Sequence, residues 1–140
     1  MENNIYKVAT AIIWQDNKVL ACRCLSDNPS GLWEFPCGNI ADGENALIAC
    51  KRGVLEKLGS CVSTAWLLQT MRCTYSDQDI EMQCFVCMLL PGQDLKSQEQ
   101  FELRWLERSE LLDVEWLDAN AEVARLLGTQ WDQVFMSQHF

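Results

Sequence analysis

Apolar residues alternate and then run together from Ile5 to Trp14, stop at Gln15-Asp16-Asn17, and resume from Lys18 to Leu25. This pattern predicts two strands, and the Asp and Asn between them suit a tight hairpin turn. Ser26 to Gly31 is rich in Asp, Asn, Pro and Ser and reads as a loop. Trp33 to Phe35 is a short extended segment leading into Pro36, and turn-forming chain continues to Glu44. The period then changes. Leu47, Cys50, Val54 and Leu58 recur at offsets of three, four and four, which predicts one buried helical stripe against a sheet. Asn45 is a good N-cap for this helix, and Gly59 fits the left-handed position that closes it. Glu44, Arg52 and Glu56 lie to the other side.

Downstream, Cys61 to Tyr75 and Ile80 to Leu90 read as a long hairpin around Ser76-Asp77-Gln78-Asp79. Pro91 to Gln100 is a polar loop, Phe101 to Leu106 a last strand, and Asn120 to Leu127 a helix. Strands and helices mix without βαβ regularity, so periodicity alone gives an α+β class. The 140 residues fit one domain, 1–140, able to bury about two thirds of its unfolded surface. A C-terminal extension of about residues 128–140 carries Trp131, Val134 and Phe135 on one helical face, through which a homodimer would form.

A formal charge of −9 and a pI near 4.5 argue against nucleic-acid polymers, which select basic patches, and against anionic membrane surfaces. A small polyphosphate is compatible with that acidity, since a few local cations can reverse the field in one cleft. Met1-Glu2-Asn3-Asn4 is polar and acidic, and no apolar run approaches the roughly 20 residues that cross a bilayer, so the expected location is cytoplasmic. In such a reducing compartment the eight cysteines, scattered through apolar patterns, are expected to be buried free thiols. Cys84 and Cys87 would point to opposite faces of a strand. Cys22 and Cys24 share a face, but the single histidine, His139, lies in the tail, so a zinc site is not expected.

The segment from Gly31 to Gly59 carries the candidate chemistry. Gly38, five residues, Glu44, seven residues, Arg52, then Val54, Glu56 and Gly59 follow one another at the intervals of the Nudix box, and the segment resembles that family. Trp33-Glu34-Phe35-Pro36 before the box is similar to the lead-in of MutT-like members, with Cys37 for a glycine and Asn39 for a lysine. Glu99, Arg104-Trp105, Ser109-Glu110-Leu111 and Trp116 to Asn120 extend the likeness, which covers about Tyr6 to Leu127. Three positions depart from the pattern: Gly53 and Lys57 stand where it has glutamates, and Ser60 where it has an aliphatic residue. The resemblance implies the Nudix fold, an α/β/α sandwich around a mixed sheet. It also implies hydrolysis of a nucleoside diphosphate linked to another group, with glutamates holding magnesium.

Positions 53, 56 and 57 share a helix face, where three carboxylates would gather divalent cations. Here Gly53, Glu56 and Lys57 contribute 0, −1 and +1, so a formal −3 becomes 0. Magnesium needs only one or two carboxylates beside substrate phosphates. By the resemblance, Glu56 and Glu99 with the Gly38 carbonyl would be that minimum, and Mg²⁺ or Mn²⁺ would bind weakly. Lys57 repels a cation but can contact a phosphate. Losing a water-activating glutamate typically costs about 10²–10⁴ in rate. Arg52 would brace the loop through Glu44 and Glu56. Arg23, Phe35 and Asn120 match positions that surround a purine in MutT-like proteins, and an amide can read a purine edge bidentately, which points to a guanine or oxidised guanine nucleotide.

Each residue also has a plainer explanation. Phe35 would be core and Asn120 a helix cap. Gly38 would need only backbone freedom. Lys57 suits the helix dipole in the last turn. Gly53, which costs about 1 kcal/mol relative to alanine in a helix, fits drift after loss of catalysis. Three readings stay open: an attenuated pyrophosphohydrolase, a nucleotide-binding sensor or regulator without turnover, and an interaction scaffold.

Overall fold

A computed structural model of the chain describes residues 5–25, 31–75, 77–92, 95 and 101–135. In chain order the elements are β1 (Ile5–Gln15), β2 (Lys18–Cys24), β3 (Cys37–Asn39), α1 (Ala46–Leu58), β4 (Val62–Tyr75), β5 (Gln78–Leu89), β6 (Phe101–Leu106), a 3-10 turn at Arg108–Glu110, and α2 (Asp118–Phe135). The class is α+β, a mixed sheet with two helices: among the described strands β1 and β5 run parallel and the other strand pairs are antiparallel. The chain divides into two compact units, residues 1–13 with 36–96, and residues 14–35 with 97–140.

In the first unit β1 pairs with β5 from Ile5↔Asp79 to Ile13↔Cys87, and β5 pairs with β4. β3 adds to β1 through Val8↔Asn39, Ala9↔Gly38 and Thr10↔Cys37. Cys37 to Asn39 was expected to be turn; three residues without a β-branched or aromatic side chain carry no strand signal, and pairing with β1 makes the strand. β5 also begins at Gln78, two residues before the expected Ile80. Asp77, at φ 64°, lies in the turn as expected, whereas Gln78 and Asp79 join the strand.

Helix α1 forms for the expected local reasons. The Asn45 side chain accepts from the N–H groups of Leu47 (2.8 Å) and Ile48 (3.4 Å), and Gly59 closes the helix at φ 66°. The buried face comprises Ala49, Cys50, Gly53, Val54 and Leu58, whereas Leu47 is half-buried. Small residues join the face because α1 lies directly on β3. A Cβ on Gly53 would sit 3.0 Å from both Cα and N of Gly38, and one on Gly38 would sit 2.7 Å from the carbonyl oxygen of Ala49. Gly53 is therefore a packing requirement rather than drift. Gly38 is needed for its missing Cβ, since it is not among the positive-φ glycines.

The thiols are less uniformly buried than expected. Cys22, Cys50, Cys84 and Cys87 are buried, Cys24, Cys37 and Cys73 are partly so, and Cys61 is exposed. Burial pushes the Cys84 thiol up to about 12.

In the second unit the end of β1 folds onto β2 through Trp14↔Val19 and Gln15↔Lys18, across Asp16 and Asn17 at φ 54° and 61°. Two successive positive φ values are what the two-residue hairpin needs, and Asp and Asn tolerate them. β2 pairs with β6 from Val19↔Leu106 to Cys24↔Phe101. α2 starts at Asp118 and runs to Phe135, past the expected end at Leu127, with one non-helical residue at Gln130 (φ −122°, ψ 24°). Its last turns carry the face expected to form a homodimer, but Trp131, Val134 and Phe135 are buried. Phe135 stacks on Trp14 at 5.4 Å between centroids and meets Trp131 edge-on at 4.7 Å, while Trp131 Nε1 donates to Asn17 Oδ1 at 3.0 Å. That face is internal packing of the unit. Among the described residues, no helix is long and apolar enough to cross a membrane.

Candidate functional site

The loop after β3 and the solvent side of α1 meet at Arg52. Its Nε donates to Glu44 Oε2 at 3.1 Å, and Nη2 donates to Glu44 Oε1 at 2.9 Å and to the Asn39 carbonyl at 2.6 Å. Nη1 donates to Glu56 Oε1 at 3.0 Å. One guanidinium thus fixes both ends of the box: the loop through Asn39 and Glu44, and the helix through Glu56. The two-pronged Glu44 contact is the geometry that the planar fork favours. Glu44 also accepts from the N–H of Ala41 at 3.0 Å, which tightens the loop turn. Tyr6 donates to Asn39 Oδ1 at 2.6 Å, at the wall of a cleft of about 330 Å³ lined also by Lys7, Asp42 and Glu44.

The hydrogen bonds from Arg52, and then that from Ala41, hold the Glu44 carboxyl below its ordinary value, and the same pairing raises Arg52. A carboxyl whose value is lower in the folded than in the unfolded chain contributes stability above the unfolded value and loses it as pH falls through the folded one. The thermal midpoint should therefore drop as pH is lowered beneath about 4.5. Glu44→Gln should show a shallower drop across that window, and equal slopes for the two chains would remove Glu44 from the account.

Lys57 is half-buried, and its Nζ donates to Cys37 Sγ at 3.8 Å. A Cβ on Gly53 would lie 3.1 Å from the carbonyl carbon of Cys37. Cys37, Gly53 and Lys57, three positions at which the chain departs from the MutT-like pattern, thus occupy one spot. The box does not fit the divalent-metal cluster of that pattern: position 53 has no side chain, position 57 carries an ammonium, and the Glu56 carboxylate is ion-paired to Arg52. Among the described residues, no group of three His, Cys, Asp or Glu side chains is placed to hold a metal. Glu99, expected to assist, lies outside the described residues. The Asn39 carbonyl and the Cys37 thiol were not among the expected site residues. They reach Arg52 and Lys57 across 13 and 20 positions of sequence, and a loop carries no periodicity from which such pairings can be read.

The other three candidates belong to the second unit. Phe35 is fully buried, its ring stacked on Trp116 at 4.6 Å. Its N–H donates to Asn120 Oδ1 at 2.9 Å, so the amide oxygen expected to read a base here holds the backbone beside Phe35. Arg23 lies 4.7 Å over the Trp33 ring, donates to the Gly31 carbonyl at 3.3 Å and is ion-paired with Glu102.

Comparison with known proteins gives a consistent result. The chain is 30% identical over 88 residues to an 8-oxo-dGTP diphosphatase of Proteus vulgaris, across 61% of this chain and 79% of that one. The fold is shared with a MutT structure from work on Aliivibrio salmonicida and Vibrio cholerae (TM-score 0.77, 20% identity, 91% of this chain and 99% of that chain). It is shared equally with the Escherichia coli ORF135 protein (TM-score 0.77, 21% identity, 96% of each chain). A MutT Nudix hydrolase of Burkholderia pseudomallei is similar at TM-score 0.75 and 17% identity, over 88% of this chain and 98% of that one. Residues 8–126 match the NUDIX domain. With the box intervals, the capped helix and the Arg52 brace all in place, and the domain match covering most of its length, this chain belongs to the Nudix family.

Proposed function

We propose that the protein is a MutT-like nucleotide pyrophosphohydrolase by descent, which keeps a nucleotide and has attenuated turnover. The observation that carries this reading is the Arg52 brace. The loop and helix that handle phosphates are held in shape by Glu44, Asn39 and Glu56, while positions 53 and 57 lack their carboxylates. A guanine or oxidised guanine nucleotide is the proposed ligand. The 8-oxo-dGTP diphosphatase relative supports it, and Arg23 and the amide NH2 of Asn120, whose oxygen is taken by the Phe35 N–H, are proposed to meet the base. Mg²⁺ or Mn²⁺ would be held weakly, because the box carboxylates Glu44 and Glu56 are both engaged by Arg52.

A second reading, a nucleotide-binding regulator with no turnover, draws on the same engagement. A carboxylate ion-paired to a guanidinium is a poor base for water.

Release of pyrophosphate and phosphate from a panel of ordinary and oxidised nucleotides, with Mg²⁺ or Mn²⁺, separates these readings. The native chain is expected to turn over slowly, and Lys57→Glu, which returns one carboxylate, to turn over faster. Efficient metal-dependent turnover by the native chain would overturn the attenuation. No turnover by either chain, with nucleotide bound, would favour the regulator.

A further inference from the structure

We infer that Lys57 takes the place of the metal: the box binds the polyphosphate end of its ligand through a built-in ammonium, without a divalent cation. The inference rests on the nucleotide reading and names how that ligand is held. A polyphosphate needs positive charge wherever it docks, and family members generally obtain it from ions held by carboxylates. In this chain the formal charges of the box are −1 each at Asp42, Glu44 and Glu56 and +1 each at Lys51, Arg52 and Lys57, which sum to zero before any ion is added. Glu44 and Glu56 are tied to Arg52, at 2.9 Å and 3.0 Å. The ammonium arrives at the helix position where the pattern has a metal-binding carboxylate.

Two features show that this is a rebuilt spot rather than a single loss. The Lys57 ammonium donates to Cys37, whose sulfur is a weak acceptor and yields that donor readily to a phosphate oxygen. Gly53 cannot return a carboxylate without displacing backbone, because even its Cβ would lie 3.0 Å from Gly38. A cation at position 57 and a bare position 53 belong together. With the carboxylate at 53 retained, Lys57 would pair with it; with a glutamate at 57, the face would again be negative and require an ion. Lysine serves phosphate as a compact point charge, so it can hold either oxygen of a flexible chain without demanding one orientation.

The test is equilibrium binding of inorganic pyrophosphate and of GDP to the full chain, in EDTA and in Mg²⁺. Both ligands are expected to bind in EDTA, with Mg²⁺ bringing no tightening. Lys57→Met should weaken that binding roughly ten- to hundredfold, the worth of a charge-assisted hydrogen bond, whereas Lys57→Arg should largely keep it. Lys57→Glu should abolish binding in EDTA and recover it in Mg²⁺, a reversal of metal dependence that a purely structural lysine would not produce. Binding only in Mg²⁺, or binding in EDTA that ignores Lys57→Met, would overturn the inference and leave the nucleotide reading standing. No binding of GDP under either condition would overturn both. If Lys57→Met fails to fold, Lys57→Arg and Lys57→Glu still carry the test, and binding by the native chain only in Mg²⁺ overturns the inference without any variant.

Discussion

Phe35→Ala is expected to cost about 3–5 kcal/mol of unfolding free energy, the usual range for removing a buried aromatic ring. Phe35 is 0% exposed and its ring lies 4.6 Å from that of Trp116 at an interplanar angle of 19°. Deleting it leaves a ring-sized void beside a second aromatic residue that cannot collapse into the space without abandoning its own bond, since Trp116 Nε1 donates to the Leu111 carbonyl at 2.7 Å. Urea titration checks this: the transition midpoint should fall sharply with little change in slope. Asn120→Ala should follow in the same direction by about 1–3 kcal/mol, because it removes the acceptor of the Phe35 N–H. If Phe35→Ala instead leaves the urea midpoint in place and weakens nucleotide binding, the ring serves a ligand and not the core.

The parts of this fold that the sequence made legible are those fixed locally. α1 was readable at both ends because Asn45 and Gly59 act within a turn of where they stand. The β1–β2 hairpin was readable because Asp16 and Asn17 alone satisfy two positive φ values. What escaped was set by contacts distant in sequence. β3 exists because β1 is there to pair with it, and α2 continues beyond Gly128 because Trp131 and Phe135 find Trp14 and Asn17, more than a hundred residues away. At the box, spacing was enough to point to Glu44, Arg52 and Glu56 as one group. It could not reveal that Cys37 and Lys57 touch, nor that Gly53 is there for want of space.

That want of space makes a second large effect expected. In Gly38→Ala the new methyl would meet the Ala49 carbonyl oxygen at 2.7 Å and Gly53 Cα at 3.2 Å, both backbone atoms. Backbone cannot rotate away as a side chain does, so β3 must lift from α1, at an overpacking cost of about 1–3 kcal/mol or somewhat more. Gly53→Ala faces contacts of 3.0 and 3.1 Å, but recovers about 1 kcal/mol of helix propensity, so its net loss should be the smaller of the two. Thermal midpoints of both variants settle the order, and a Gly53→Ala chain more stable than the native one would sink the account. The consequence reaches the chemistry. Gly53→Glu, the change that would complete the box, begins with the same blocked Cβ, so its carboxylate can be placed only by moving the strand that carries Cys37 and Gly38. The double variant Gly53→Glu/Lys57→Glu should accordingly be less stable than Lys57→Glu alone and gain less turnover than two restored carboxylates would suggest. In this chain the bare position 53 and the close approach of α1 to β3 go together, and placing a carboxylate there requires the two to separate.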